Sequence, residues 1–234
     1  MKIKDYLVLV VISLFIGWVF SKSRIYTPDP LAWSSNFTVD TIPTAVKVNK
    51  QDTVISVKGK KVLFIGDSHT AADYGWQYQL CKKTGMSYLN TAVGGKQTAW
   101  MVQEAKSKVT EYFDYCFIYG GANDMASNRL PMKSVKNIQV IVDICNRYRV
   151  TPIVITGFDP NTCINIGTRQ AYQGYPQRYA KFQQLLVDSI QGAKVLKTHC
   201  ISRTDCGDFL CHMTGTGHKK MANFIISACR LKVY

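Results

Sequence analysis

The stretch Lys61-Val-Leu-Phe-Ile-Gly-Asp-Ser-His-Thr70 constrains the fold more than any other part of the chain. Its short apolar run reads as a strand, and Gly66 stops it abruptly and delivers Ser68 into a turn. Strand character recurs at Ser87–Val93, Tyr115–Tyr119, Pro152–Thr156 and Val195–His199. Helical spacing falls between these runs, at Ala71–Lys83, Thr98–Val109, Met132–Arg149 and Ala171–Ile190, the last interrupted near Gly174 and Pro176. A closing helix is predicted over Thr216–Leu231, with Met221, Phe224, Ile225 and Ala228 on one face. This alternation predicts an α/β fold of three layers, a doubly wound parallel sheet of about five strands with helices on both faces. In such a sheet the loops at the carboxyl ends of the strands converge, and Ser68 stands at that edge.

The 234 residues are 47% hydrophobic, enough to bury the core of one domain carrying a terminal appendage. Residues 1–24 read as a signal peptide or membrane anchor. Lys2 and Lys4 precede an almost wholly apolar run from Tyr6 to Phe20, and Lys22 and Arg24 follow it. That run is shorter than the roughly 20 residues that span a bilayer comfortably, but no Ala-x-Ala cleavage site follows it, which favours an uncleaved anchor helix. Residues 25–59, with Pro28, Pro30 and Pro43 among polar residues, read as a stalk, and residues 60–234 as the main domain. The domain is expected outside the cytoplasm, and an even count of eight cysteines agrees with an oxidising location. Cys206 and Cys211 flank a turn-rich stretch and form the best candidate disulfide, whereas Cys116 and Cys145 sit in apolar patterns as buried thiols. The net charge of +14 favours anionic surroundings. The lysines are scattered, however, and no nucleic-acid-binding motif accompanies them, so no specific nucleic acid is expected as a partner.

Three of the convergent loops carry chemistry unusual for connectors: Gly66-Asp-Ser68, Asn90-Thr-Ala-Val-Gly-Gly95 and Tyr119-Gly-Gly-Ala-Asn-Asp124. A serine hydroxyl needs a general base within hydrogen-bond reach and a third group to orient that base. The chain has four histidines. The side chain of His69 should point away from that of Ser68, His199 ends a strand, and His218 falls in the first turn of the closing helix. His212 lies in a loop preceded by acidic residues, where a carboxylate can fix its tautomer, and is the better base.

The order Phe64-Ile-Gly-Asp-Ser-His69, Asn90 to Gly95, Gly121-Ala-Asn-Asp124 and a late Asp-x-x-x-His212 resembles the four sequence blocks of the SGNH (GDSL-like) hydrolases, over roughly Lys60 to the C-terminus. The resemblance implies the flavodoxin-like form of the fold and a serine esterase that needs no cofactor and no metal. Ser68 would be the nucleophile and His212 the base. The oxyanion hole would be built from the backbone N–H of Ser68, that of Gly95, five residues after Asn90, and the Asn123 side chain. The family places its acid three residues before the histidine, a position held here by Phe209. Asp208 is then the acid of the triad through a one-residue insertion, with Asp205 or a Ser-His dyad as alternatives. The implied substrates are acyl esters, acetyl esters among them, on a carbohydrate, a lipid or a cell-envelope polymer; a lipase, thioesterase or acyltransferase would use the same serine. Two other readings compete. His199, Cys200, Cys206, Cys211, His212 and His218 could hold zinc, although no Cys-x2-Cys spacing is present. A non-catalytic surface protein could bind sugars through Trp76, Trp100 or Tyr172, residue types that more commonly pack in a core.

Overall fold

An interior strand of the sheet is the one the sequence marks first. β1 (Lys61–Gly66) is buried from Val62 onward and pairs in parallel with β2 (Ser87–Asn90) on one side and β3 (Tyr115–Tyr119) on the other. Next to β3 lie β4 (Thr151–Ile155) and β5 (Lys194–Leu196), giving the parallel order β2-β1-β3-β4-β5. Strands buried on both faces read as continuous apolar runs, which is why β1, β3 and β4 stand out in the sequence; β2, at an edge, leaves Tyr88 and Leu89 exposed. The strand order reverses between β1 and β3, opening a crevice at their carboxyl ends.

The computed structural model describes residues 53–159, 173–207 and 212–234. The apolar segment at the N-terminus, nearly all of the expected stalk, Tyr172, Asp208 and Cys211 lie outside the described residues. Among the described residues no helix is long and apolar enough to cross a membrane. The helices are α1 (Ser68–Ala71), α2 (Trp76–Thr84), α3 (Thr98–Lys108), α4 (Ala122–Ala126), α5 (Pro131–Arg147), α6 (Tyr175–Ser189) and α7 (Gly215–Ala228). Right-handed crossovers on either side of the reversal put α2 on one face, where α7 packs against it, and α3, α5 and α6 in succession on the other. α5 shows why such helices dock: Val135, Ile138, Ile141, Val142 and Cys145 recur at helical spacing and are buried, whereas Lys133, Lys136, Asp143 and Arg147 are exposed.

The helix predicted over Ala71–Lys83 is in fact two. α1 is a single turn capped by Asp67, whose side chain accepts from the His69 N–H. The chain then passes through Tyr74 at φ +56° and restarts at Trp76. The Trp76 indole is fully buried against Phe64, Phe117 and Tyr119, and its Nε1 donates to the His69 carbonyl, so the apolar period continues across the break. The strand predicted over Ser87–Val93 ends at Asn90, where a side-chain turn takes over. Residues 53–59, on the linker side of the boundary expected at Lys60, pack on the domain. Ile55 N–H donates to Arg230 O (2.7 Å), Lys232 N–H donates to Ile55 O (2.9 Å), and Val57 is buried.

Three devices fix the loops at the carboxyl edge. Gly121 has φ +108°, and a Cβ there would stand 2.5 Å from the Phe182 ring of α6, so α4 lies directly on that ring. Asp124, buried in α4, accepts from Thr98 N–H (2.9 Å), Thr98 Oγ1 (2.6 Å) and Ser134 Oγ (2.9 Å), tying α4 to the starts of α3 and α5. Asp205 closes a short 3₁₀ turn (Arg203–Asp205): its carboxylate accepts from Ser202 N–H and Oγ and meets Lys220 Nζ at 2.8 Å, while its carbonyl accepts from Thr214 N–H. The loop that carries His212 is thereby pinned to α7.

Gly121→Ala combines left-handed backbone strain with overpacking against Phe182 and should cost about 2–5 kcal/mol, lowering the melting temperature by about 5–15 °C in calorimetry. Gly59→Ala, at φ +79° with nothing within 4 Å of the new Cβ, isolates the strain and should cost about 1–2 kcal/mol. Equal losses for the two variants would refute the Phe182 contact as the cause. The hydrogen bonds from Lys220 and Ser202 hold the Asp205 carboxyl down at about 2, below the ordinary 3.8. Its contribution to stability is therefore present above about pH 4 and lost as pH falls through about 2. Asp205→Asn should melt below wild type at neutral pH, and the gap should close in melts taken from pH 4 down to pH 2.

Candidate active site

The site begins where β1 and β3 end level with each other. Gly66 pairs with Tyr119, and a Cβ on Gly66 would run into the Tyr119 carbonyl and the Thr70 side chain, so only glycine lets the two strand ends lie this close. Ser68 follows as the first residue of α1 and is half-buried. His212 comes from the other end of the chain. Gly207 N–H donates to His212 O (2.8 Å) and Cys206 bridges Met213, which holds His212 beside the end of the Asp205 turn. His212 Nε2 then lies 2.9 Å from Ser68 Oγ. The other histidines are engaged elsewhere: His199 packs edge-on against Phe224, and His218 Nδ1 accepts from Trp76 N–H. His69 is buried, stacked on Tyr119 at 5.5 Å, and its ring lies 5.5 Å from that of His212.

The second loop is held against the first. Asn90 Nδ2 donates to Thr70 O (2.8 Å), Asn90 Oδ1 accepts from Ala92 N–H (3.1 Å), and Val93 N–H donates to Gly66 O (3.2 Å). The chain turns over Val93–Lys96 with Gly95 at φ +75°. Gly94 is the glycine beside the serine side chain, since a Cβ on it would stand 3.7 Å from Ser68 Cβ; a Cβ on Gly95 would meet nothing within 4 Å. In the third loop Asn123, on α4, directs its amide at both neighbours: Nδ2 donates to Lys96 O at 3.1 Å and approaches Asp67 Oδ2 at 3.4 Å. Ser68, Gly95, Asn123 and His212 thus share one edge of the sheet.

Beneath this edge lies Asp67, fully buried. Burial pushes its carboxyl up to about 7; the charge of Asp124 adds to this, while the amide of His69, the nearby His212 and the amide of Gly121 oppose it. A carboxyl brought toward neutrality puts less negative charge under the serine than an ordinary aspartate would. Buried rings floor the site, with Tyr119 and Phe158 around His69 and stacked Tyr175 and Tyr179 beyond. A hydroxyl bonded to an imidazole, with amide donors alongside, is the arrangement that nucleophilic acyl transfer requires.

Asp205, the alternative acid, is committed to Ser202 and Lys220. Asp208 lies outside the described residues, as does the Cys211 partner of the expected disulfide. Among the described residues no group of three or more His, Cys, Asp or Glu side chains is placed to hold a metal. Trp76 belongs to the core rather than to a binding surface. The sequence reading missed Asp67 and the Asp124 network. Their signal was an aspartate beside each candidate residue, at Asp67-Ser68 and Asn123-Asp124, in loops that need no charge.

Residues 62–225 match the model of the GDSL-like lipase/acylhydrolase family. No curated protein matches the sequence. Solved structures similar in fold include a member of the lipolytic G-D-S-L family from Veillonella parvula (TM-score 0.58, 14% identity, covering 72% of this chain and 97% of that one). A GDSL-like lipase from Bacteroides thetaiotaomicron is similar at TM-score 0.59 and 16% identity, over 73% of this chain and 87% of that one. An acetylxylan esterase from Geobacillus stearothermophilus is similar at TM-score 0.57 and 13% identity, over 76% of this chain and 99% of that one. The family match spans most of the chain and the whole of the edge described above, and the protein belongs to the GDSL-like (SGNH) lipase/acylhydrolase family as a carboxylic ester hydrolase.

Proposed function

We propose that the protein is a serine esterase that removes acyl groups, acetyl in particular, from a carbohydrate or cell-envelope polymer. The observation that carries this reading is the 2.9 Å contact between His212 Nε2 and Ser68 Oγ. In the proposed reaction Ser68 Oγ attacks the ester carbonyl as His212 takes its proton. The oxyanion so formed is held by the Ser68 and Gly95 amides and by Asn123 Nδ2, whose second N–H is engaged only by the longer 3.4 Å contact to Asp67. Collapse expels the alcohol, which takes the proton from His212 and leaves an acyl-serine. Water then gives its proton to His212, attacks the acyl carbon and releases the acid, restoring Ser68. Asp208 is assigned the task of orienting His212, a reading favoured by its sequence position four residues before His212 and by the commitment of Asp205 elsewhere. The similarity in fold to an acetylxylan esterase, the net charge of +14 and the apolar segment near the N-terminus support an acetylated polymer met outside the cytoplasm by a membrane-tethered or exported enzyme.

Asn123→Ala should lower kcat on p-nitrophenyl acetate by about 100- to 1000-fold with an unchanged melting profile; a well-folded variant at the wild-type rate would remove Asn123 from the oxyanion hole. Asp208→Asn should lower kcat by about 10²- to 10⁴-fold if its carboxylate fixes the His212 tautomer. Retained activity in that variant would leave Ser68 and His212 as a dyad, and retained activity in Ser68→Ala would defeat the whole assignment.

A further inference from the structure

Beside the serine, on the β2 side, a groove of about 410 Å³ runs between the α1–α2 connection and the end of β2. Its volume falls within the roughly 300–1,000 Å³ of small-molecule sites. Three tyrosines dominate it. Tyr74 comes from the connection, Tyr78 from α2 and Tyr88 from β2. Asp73, Gln77 and Asn90 supply polar groups between them.

Tyr74 is the unusual member. It is 74% exposed, yet its backbone sits at φ +56°, a conformation that bulky side chains avoid. Core packing does not compensate for that strain, and an exposed strained residue at the rim of a site is the pattern from which function is inferred. Its ring meets Tyr78 edge-on at 5.2 Å, which fixes its direction. Tyr88 is 43% exposed and braced behind by Phe64 at 5.8 Å. Two aromatic faces are therefore held open to solvent by rigid neighbours.

The groove adjoins the segments that carry the site. Ala71, which lines it, ends the single helical turn that Ser68 begins. Ala92 lines it too, in the same loop as Gly94 and Gly95. Trp76 N–H donates to His218 Nδ1 (3.2 Å), which joins the start of α2, the wall of the groove, to the start of α7, just after His212. In an acetylated saccharide the sugar is the alcohol portion of the ester.

We infer that this groove is the subsite for the alcohol portion of the ester, and that it takes a neutral oligosaccharide of pyranose rings. The inference rests on the esterase reading above and adds the substrate class. Tyrosine offers a ring for the apolar face of a sugar and a hydroxyl for its polar edge. A long acyl chain would need a continuous apolar wall, and the amide and carboxyl groups here interrupt it. The carboxylate of Asp73 disfavours an anionic polymer at this point.

The test uses the full chain as wild type, Tyr74→Ala, Tyr88→Ala and Tyr74→Trp, assayed on acetylated xylo- and manno-oligosaccharides, p-nitrophenyl acetate and p-nitrophenyl octanoate. The ratio of kcat/KM for an oligosaccharide to that for p-nitrophenyl acetate should fall about 2- to 10-fold in each alanine variant, through KM, and should be regained in Tyr74→Trp. An unchanged ratio, or a selective loss on the octanoate ester, would overturn the assignment. A failure of the esterase reading is seen separately, as hydrolysis that persists in Ser68→Ala. In that event calorimetric titration of the protein with unacetylated xylo- and manno-oligosaccharides decides the groove: binding weakened by Tyr74→Ala sustains it, and no binding, or binding indifferent to both alanine changes, removes it.

Discussion

The level ending of β1 and β3, with no room for a side chain at Gly66, is the constraint on which the rest of the site depends. Because these two strands flank the reversal in strand order, the chain leaves them toward opposite faces, α1 and α2 on one side and α4 and α5 on the other. Ser68 and Asn123 follow within four residues of the two strand ends. A larger residue at Gly66 would push the strand ends apart and with them both groups. The Asp124 network and the Phe182 ring under Gly121 then hold the Asn123 loop at the height the strand register sets.

His212 has no such local support. It lies 144 residues from the serine it bonds, and its loop must be brought back over the sheet edge by contacts of its own. The Asp205 turn does this with charge-assisted hydrogen bonds to Lys220 and Ser202, spending an acidic group close to the site on architecture. Asp67 shows the opposite use of an acid. It is buried next to Ser68, where desolvation raises its pKa and lessens the negative charge it places there. Two buried aspartates thus differ in role because Lys220 stands beside Asp205, whereas desolvation prevails at Asp67.

Much of this was legible in the residues. β3 begins and ends where its apolar run does, and β1 and β4 differ from their runs, Val62–Ile65 and Pro152–Thr156, by one residue at each end, because strands buried on both faces carry their signature locally. Ser68, Gly95, Asn123 and His212 could be singled out because each loop interrupts that pattern with glycines and polar groups. The split between α1 and α2 was hidden because Trp76 continues the apolar period across the break, although its burial against Phe64, Phe117 and Tyr119 is a tertiary fact. The packing of residues 53–59 was hidden for a similar reason: their partner strand is the C-terminal tail, through Ile55 and Leu231.

Local periodicity and turn chemistry were therefore enough to place the layers, the strand ends and the serine, since each depends on residues within a few positions of one another. The contact between His212 and Ser68 and the commitment of Asp205 to Lys220 and Ser202, like the joining of Tyr74, Tyr78 and Tyr88 into one groove, were made by the fold. Those outcomes depend on which distant segments the strand order and the α2–α7 packing bring together. Side chains far apart in the chain acquire a role only when burial and hydrogen bonding make one pairing better than the alternatives.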